Sequence, residues 1–494
     1  MITVEVGGQV RAFPISDFRF PIRGRRQSQI RNLKSRIENA EASVLIGLLW
    51  CLALLSVVVV GALHTARLDL LIVRNYGDRI QAHYLAVAGI EKAKALLFQD
   101  ARERTRSHRH HSGALYNAPD QFRDIAFGRG HFRVFRAGRE DEGGGVIYGI
   151  SDEESRLNVN VASLQELGKL DVMTPDIAAA IVDWRDEDNQ VTPGGAELEY
   201  YASLQPPYQP RNGPLQTVRE LLMVRGVTHE LLLAQDAGQG GQPEAMRDNE
   251  AAFGNLDTGW AGLLTVDSTV KDITAGGGDR VNIQTADEHS LTGVRGITTD
   301  IARAIVAYRG QHRFETIADL LDVTAARNPN QPGPMPGGDS TGQDQSAPPA
   351  GAPSPTGAPS AQGPKVVSQD LLMEVADDLT VNDGGDMTGA VNVNTASLDV
   401  LLCLPGLSRE LAQAVISYRQ SSGFFPNIAY LLQVPGMTRD IFKQLAPRVS
   451  ARSETFRILS EGNVTSSGTR QRIQEIVRVG LSEITTLSYR EDDL

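Results

Sequence analysis

Two cysteines in 494 residues cannot build a disulfide framework, and one of them, Cys51, sits in a long apolar run where no bridge would form. Nothing in their spacing resembles a zinc cluster. The chain also lacks a Walker-type glycine loop and a serine on a strand-to-helix elbow, so these signs of phosphoryl or acyl transfer are missing. Excess positive charge is missing too: 48 Lys and Arg face 60 Asp and Glu, a net −12. A protein whose main partner is nucleic acid normally carries a basic stripe or domain. These absences argue against an enzyme and against a nucleic-acid binder. At 494 residues the chain is too long for one core, and its length suggests two to four domains.

What the chain does have is an uncharged stretch of 21 residues, Ser43 to Leu63, containing LLWCLALLSVVVVGAL. At about 1.5 Å per residue it spans a hydrocarbon core of roughly 30 Å. It is apolar on every face, unlike the core helix of a soluble protein, and no small-residue cleavage pattern follows it. Residues 1–42 carry eight Lys/Arg against four Asp/Glu, whereas residues 43–494 carry a net −16. The positive-inside rule then keeps the basic end in the cytoplasm. The expectation is a cytoplasmic segment (1–42), one transmembrane helix (43–63) and a large exported acidic domain.

Residues 64–104 contain no proline and repeat apolar residues at three- and four-residue spacing, predicting a stalk helix. Its apolar stripe reads Leu70, Val73, Tyr76, Ile80, Tyr84, Val87, Ile90 and Ala93. Short alternating segments follow at 130–137 and 145–150, and again at 455–459, 472–480 and 485–491, as expected of antiparallel strands with one buried face. The HRHH run at 108–111 reads as a solvated polar loop. A long helix on a small sheet, with strands at 129–156 and 451–494, is the layout of a pilin. The fold class is therefore α+β: a pilin-like transmembrane and stalk helix with a small antiparallel sheet, interrupted by a large α-helical insertion.

The insertion is an internal repeat. LNVNVASLQELGKLDVMTPDIAAAIVDWR opens a first copy at 157–235, VNIQTADEHSLTGVRGITTDIARAIVAYR a second at 281–380, and VNVNTASLDVLLCLPGLSRELAQAVISYR a third, the clearest, at 391–450. Each is a double helix-hairpin-helix, and the copy at 157–235 carries an acidic insertion. Residues 328–364 hold ten prolines, seven glycines and no Lys or Arg, so they are extended or disordered. Because VVSQDLLMEVADDLT at 366–380 matches GMTRDIFKQLAPRVS, this linker interrupts the last hairpin of its copy. The hairpins put Thr174, Thr228, Thr298, Ser368, Ser408 and Thr438 where a DNA-gripping turn has its second glycine. Two residues later come Asp176, Glu230, Asp300, Asp370, Glu410 and Asp440. A hydroxyl there caps the helix and an acid complements its dipole, and that acid occupies the place a phosphate would need. These read as protein-packing hairpins, with no nucleic acid expected as partner.

The order of basic segment, apolar helix, stalk, GISDEESRLNVNVAS, AAIVDWRDEDNQVTPGGAELEYY and RNGPLQTVRELLMVRGVTHELL resembles the K-type minor pseudopilins of type II secretion systems, the GspK family. The resemblance covers about 43–235 and 391–494. It implies a pilin-like domain with a helical insertion, standing with other minor pseudopilins at the tip of a periplasmic pseudopilus and anchored in the inner membrane. The chain departs from that family in the 40-odd residues before its apolar run and in the extra copy with its Pro-rich loop. The acidic loop offers Asp186, Asp188, Glu197 and Glu199 around a Gly-Gly turn. A carboxylate-rich turn can supply oxygen ligands to a hard cation, but it lacks the EF-hand spacing and reads equally as a solvated acidic loop until the resemblance is added, which implies calcium. A membrane-anchored helix-hairpin-helix DNA receptor of the competence (ComEA-like) type is the alternative function.

Overall fold

The computed structural model describes residues 5–6, 9–10, 35–107, 113–233, 259–325 and 364–491. The HRHH run lies outside them, as do most of segment 1–42 and nearly all of the Pro-rich linker. The chain divides into two compact units, 1–74 and 75–494. In the first, Glu5–Val6 pairs with Gln9–Val10, and the apolar stretch from Val44 to Leu63 is helical with its side chains exposed. It belongs to a continuous helix, Ser35–Ser107, long and apolar enough to cross a membrane. Among the described residues it is the one helix of that kind, which is consistent with a single membrane anchor.

In the second unit the stalk part of the helix packs on a six-stranded antiparallel sheet. Its strands run in the order Ile484–Arg490, Arg470–Val479, Thr455–Val464, Gly130–Val134 and Ile125–Phe127, with Ser151–Asp152 also paired to Thr455–Val464. The central pairing, Ser460 opposite Val134, joins strands from either side of the insertion. The stalk stripe differs from the sequence expectation. Tyr76, Ile80 and Tyr84 are exposed, while Ala82, Leu85, Ala86, Ile90, Ala93 and Leu97 are buried. The cause is the closeness of helix and sheet: a Cβ on Gly462 would lie 2.1 Å from the Ala82 carbonyl oxygen, and one on Gly89 2.2 Å from Ser460 Oγ. Small residues, Ala82, Ala86, Gly89 and Ala93, allow the close approach and share the contact face with Leu85, Ile90 and Leu97.

Each repeat copy closes on itself through a two-residue parallel pairing of its start with its end: Leu157–Asn158 with Leu264–Thr265, Val281–Asn282 with Leu379–Thr380, and Val391–Asn392 with Val449–Ser450. The first copy therefore runs to Thr265, beyond the boundary at 235 read from the sequence, because Trp260–Leu263 supplies its last helical turn. The first Asn of each copy makes an Asx-turn, Asn158 Oδ1 accepting from Asn160 N (2.9 Å), Asn282 Oδ1 from Gln284 N (2.8 Å) and Asn392 Oδ1 from Asn394 N (2.9 Å). The next amide side chain reaches across to the second hairpin, where Asn160, Gln284 and Asn394 accept from Leu215 N, Phe314 N and Phe425 N. The arginine in the last turn of each long helix donates to carbonyls of the same Asn turn: Arg185 to Val159, Arg309 to Ile283 and Arg419 to Val393. The repeated Asn and Arg are thus structural cross-links.

Around the linker, Val366 N donates to Val323 O (3.0 Å), Ala325 N donates to Pro364 O (2.9 Å) and Thr324 bridges Lys365. The chain leaves and returns at one point of the second copy.

The sheet joins the third copy through a buried acidic knot. Asp152 Oδ2 accepts from Ser453 Oγ (2.6 Å), Asn392 Nδ2 (3.0 Å) and Thr395 Oγ1. The Glu154 carboxylate accepts from Thr455 N at 3.0 and 3.1 Å, and Glu153 is held by Arg156 (2.7 Å) and Arg457. Burial, then the neighbouring Asp152, pushes the Glu154 carboxyl well above the usual range. Burial acts on Glu153 in the same sense, but Arg156 and Arg457 outweigh it and hold its carboxyl low.

Candidate metal centre

The helix Pro175–Arg185 begins at Thr174, whose Oγ1 accepts from Ile177 N at 3.3 Å, and ends against Asp186, whose N–H donates to Val182 O at 3.1 Å. Asp183 and Asp186 lie three residues apart and so share one face of its last turn. A helix C-terminus carries negative partial charge, so carboxylates there are unfavourable unless a cation balances them. The loop that follows brings a third. Asp183, Asp186 and Glu197 each place a carboxylate oxygen within 4.8 Å of the others.

Asp183 is fully buried, and its two oxygens accept from Thr192 N at 3.2 Å. The Gly-Gly turn lies directly on it: a Cβ on Gly195 would sit 2.0 Å from Asp183 Oδ2. Arg225, at the apex of the copy's second hairpin, fixes that turn by donating to the carbonyls of Gly195 (2.9 Å) and Gly194 (2.6 Å). Asn212 closes the other side, its Nδ2 donating to Asp188 O (2.9 Å) and Asn189 Oδ1 (3.0 Å).

Four buried oxygens here have no hydrogen-bond donor: Asp186 Oδ1, both carboxylate oxygens of Glu197, and Asn212 Oδ1. Burying polar oxygens without partners is costly. Burial, then Asp183 and Asp186, pushes the Glu197 carboxyl up to about 7, and burial with Asp188 and Asp183 raises Asp186. An all-oxygen donor set with crowded negative charge fits a hard divalent cation, calcium before magnesium, which keeps more of its water.

The site differs from the four residues expected. Asp186 and Glu197 belong to it; Asp188 and Glu199 are exposed and outside the triple, Asp188 Oδ1 being engaged by Gln190 N at 2.7 Å. Asp183 takes their place. It was hidden in the apolar VDWR of a core helix, and its only sequence signal is the three-residue spacing to Asp186.

The other five predicted caps also accept from the backbone N–H three residues on: Thr228 from Leu231, Thr298 from Ile301, Ser408 from Leu411 and Thr438 from Ile441 at 3.3 Å, and Ser368 from Leu371 at 3.1 Å. The six acids two residues after the caps are all exposed. In the third copy a Cβ on Gly406 would lie 3.3 Å from Ile441, and one on Gly436 3.7 Å from Leu411, so each hairpin apex abuts the first turn of the partner hairpin.

Residues 151–235 match the family model described as type II secretion system (T2SS), protein K, and residues 277–325 and 387–450 match the helix-hairpin-helix motif. Type II secretion system protein K of Pectobacterium carotovorum is 30% identical over 112 residues, 18% of this chain and 34% of that protein. The mouse endonuclease/exonuclease/phosphatase family domain-containing protein 1 is 29% identical over 178 residues, 35% of this chain and 28% of that protein. The chain thus spans between about a tenth and a third of the length of the curated relatives it matches. The crystal structure of the GspK-GspI-GspJ complex from enterotoxigenic Escherichia coli aligns over 85% of this chain and 99% of the matched one, with 13% identity and a TM-score of 0.42.

Proposed function

We propose, from the protein K domain at residues 151–235, that the chain is a structural minor pseudopilin of a type II secretion pseudopilus, standing at or near its tip and supporting protein export. That match carries the reading. The apolar helix anchors the protein once in the inner membrane, basic end in the cytoplasm, acidic domain in the periplasm. Its partners are other minor pseudopilins, and its action is packing rather than catalysis. The bulky insertion stands above the stalk and opposes addition of further subunits.

Within this reading Asp183, Asp186 and Glu197 hold a calcium ion, which supplies positive charge to a buried acidic turn and so fixes the loop 186–214 on its helix. The buried donor-free oxygens support this. The competence-type DNA receptor is opposed by the six exposed acids at the hairpins.

Deleting the chain in its native host should remove the substrates of the secretion system from the medium, and the tagged full chain should co-purify other minor pseudopilins. Unchanged export and no such partners would sink the proposal. A mobility-shift assay with the detergent-solubilised chain should show no duplex binding at physiological salt; tight, salt-sensitive binding would favour the receptor.

A further inference from the structure

Where the end of the stalk helix meets the second and third copies there is a cavity of about 700 Å³, within the size range of small-molecule sites. No residue of the protein K domain lines it. Its apolar lining includes Val270, Ile273, Leu379 and Val449, and its polar lining carries the guanidinium groups of Arg104, Arg280, Arg313 and Arg452 together with six carboxylates.

Three of these cations differ in their partners. Arg280 pairs with Asp272 (3.1 Å) and Asp377 (3.0 Å), and Arg104 pairs with Asp100 (3.0 Å). Arg452 has no carboxylate at ion-pair distance among the described residues; its NH2 donates only to the carbonyls of Lys271 (2.9 Å) and Ile273. Glu454 is near, but its Oε2 accepts from Lys271 N (3.2 Å), and burial biases its carboxyl toward the neutral form. Burial, then the like charge of Arg280, pulls Arg452 down to about 10, and Arg104 adds to this while Asp377 and Glu454 oppose it. A largely desolvated cation with only neutral acceptors is costly, and an anion beside it removes that cost.

We propose that this cavity binds a small organic anion, its acidic head on Arg452 and Arg104 and its apolar body against Val270 and Leu379. A carboxylate and a phosphate monoester share this chemistry.

Isothermal titration of the full chain in detergent with benzoate, phenyl phosphate and the neutral isostere benzamide tests it. One equivalent of at least one anion should bind and benzamide should not. Arg452→Gln should weaken anion binding by about tenfold or more, as expected when one partner of a buried charge pair is truncated. Leu481→Trp changes a side chain that is 44% exposed on the cavity lining, so it should block binding at an unchanged melting temperature. This second variant serves if Arg452→Gln does not fold. Equal binding of benzamide, no binding of either anion at about 10 mM, or unchanged affinity in folded Leu481→Trp would overturn the assignment.

Discussion

In the first and third copies an arginine in the last turn of the long helix, Arg185 or Arg419, reaches back to the Asn turn, yet the position two residues earlier is treated in opposite ways. In the third copy that position is Ser417, exposed, and a short turn leads directly to Asn427, the cap of the next helical turn. In the second copy it is Ala307, also exposed. In the first it is Asp183, fully buried, because the residues after Asp186 fold back over it. An insertion has turned a solvated helix position into a buried carboxylate. The lesson is that a repeat can acquire a charge-demanding site without changing its frame, provided the new loop supplies both cover and partners.

The largest test of that contrast uses calcium. Excess calcium should raise the melting temperature of the full chain, since a ligand that binds only the native state stabilises it by about 2.7 kcal/mol at a hundredfold excess over Kd. Asp183→Asn should abolish the response, whereas Ser417→Asn should leave it intact and shift stability by no more than about 0.5 kcal/mol. If chelator and calcium give one melting curve, the loop is merely acidic.

Next in size is pH dependence. Glu197 has a folded pKa of about 7, above its unfolded value near 4.3. The native state therefore binds the extra proton, and stability in chelator falls as pH rises between those values. Calcium should remove that slope, and its apparent affinity should drop as pH falls below about 7. Glu154 is raised in the same sense by burial and Asp152, so it too lowers stability as pH climbs from the unfolded carboxyl range. Glu154→Gln should flatten the remaining slope measured by urea unfolding; an unchanged slope would refute a protonated Glu154.

A smaller effect separates the hairpins. Gly226, Gly296, Gly406 and Gly436 occupy the left-handed region, and in the first hairpin Val172 does so at φ 62°. A β-branched residue there is strained by roughly 1–2 kcal/mol. Val172→Gly should therefore stabilise by up to about 1 kcal/mol in urea unfolding, offset by the glycine's own chain entropy, while Gly406→Val should destabilise.

Last is the linker. Replacing 328–364 by a four-residue turn should stabilise the fold by no more than about 2 kcal/mol, because loop-closure cost falls by only about 0.6 kcal/mol for each halving of the length. Val323–Ala325 and Pro364–Val366 already lie side by side. Fragments from proteolysis within the linker should stay associated without denaturant; separation would show that the flanks are not one hairpin.

Sequence by itself determined the elements whose signals are local and periodic. The apolar helix shows as 21 uncharged residues, the repeat as three Asn-led copies, and the caps as a hydroxyl followed by an acid. Each follows from rules that act within a few residues, such as capping and helix period. Only the tertiary structure decided which face of the stalk is buried, since that depends on how closely Gly89 and Gly462 let helix and sheet approach. The closure of the first copy at Thr265 is likewise a strand pairing across more than a hundred residues. Membership of the candidate metal centre was decided in the same way. Composition pointed to the acidic loop, but proximity was set by the fold of the turn over the helix end, which buried Asp183 and left Asp188 and Glu199 in solvent. A carboxylate's role depends on burial and neighbours, and both are properties of packing rather than of order along the chain.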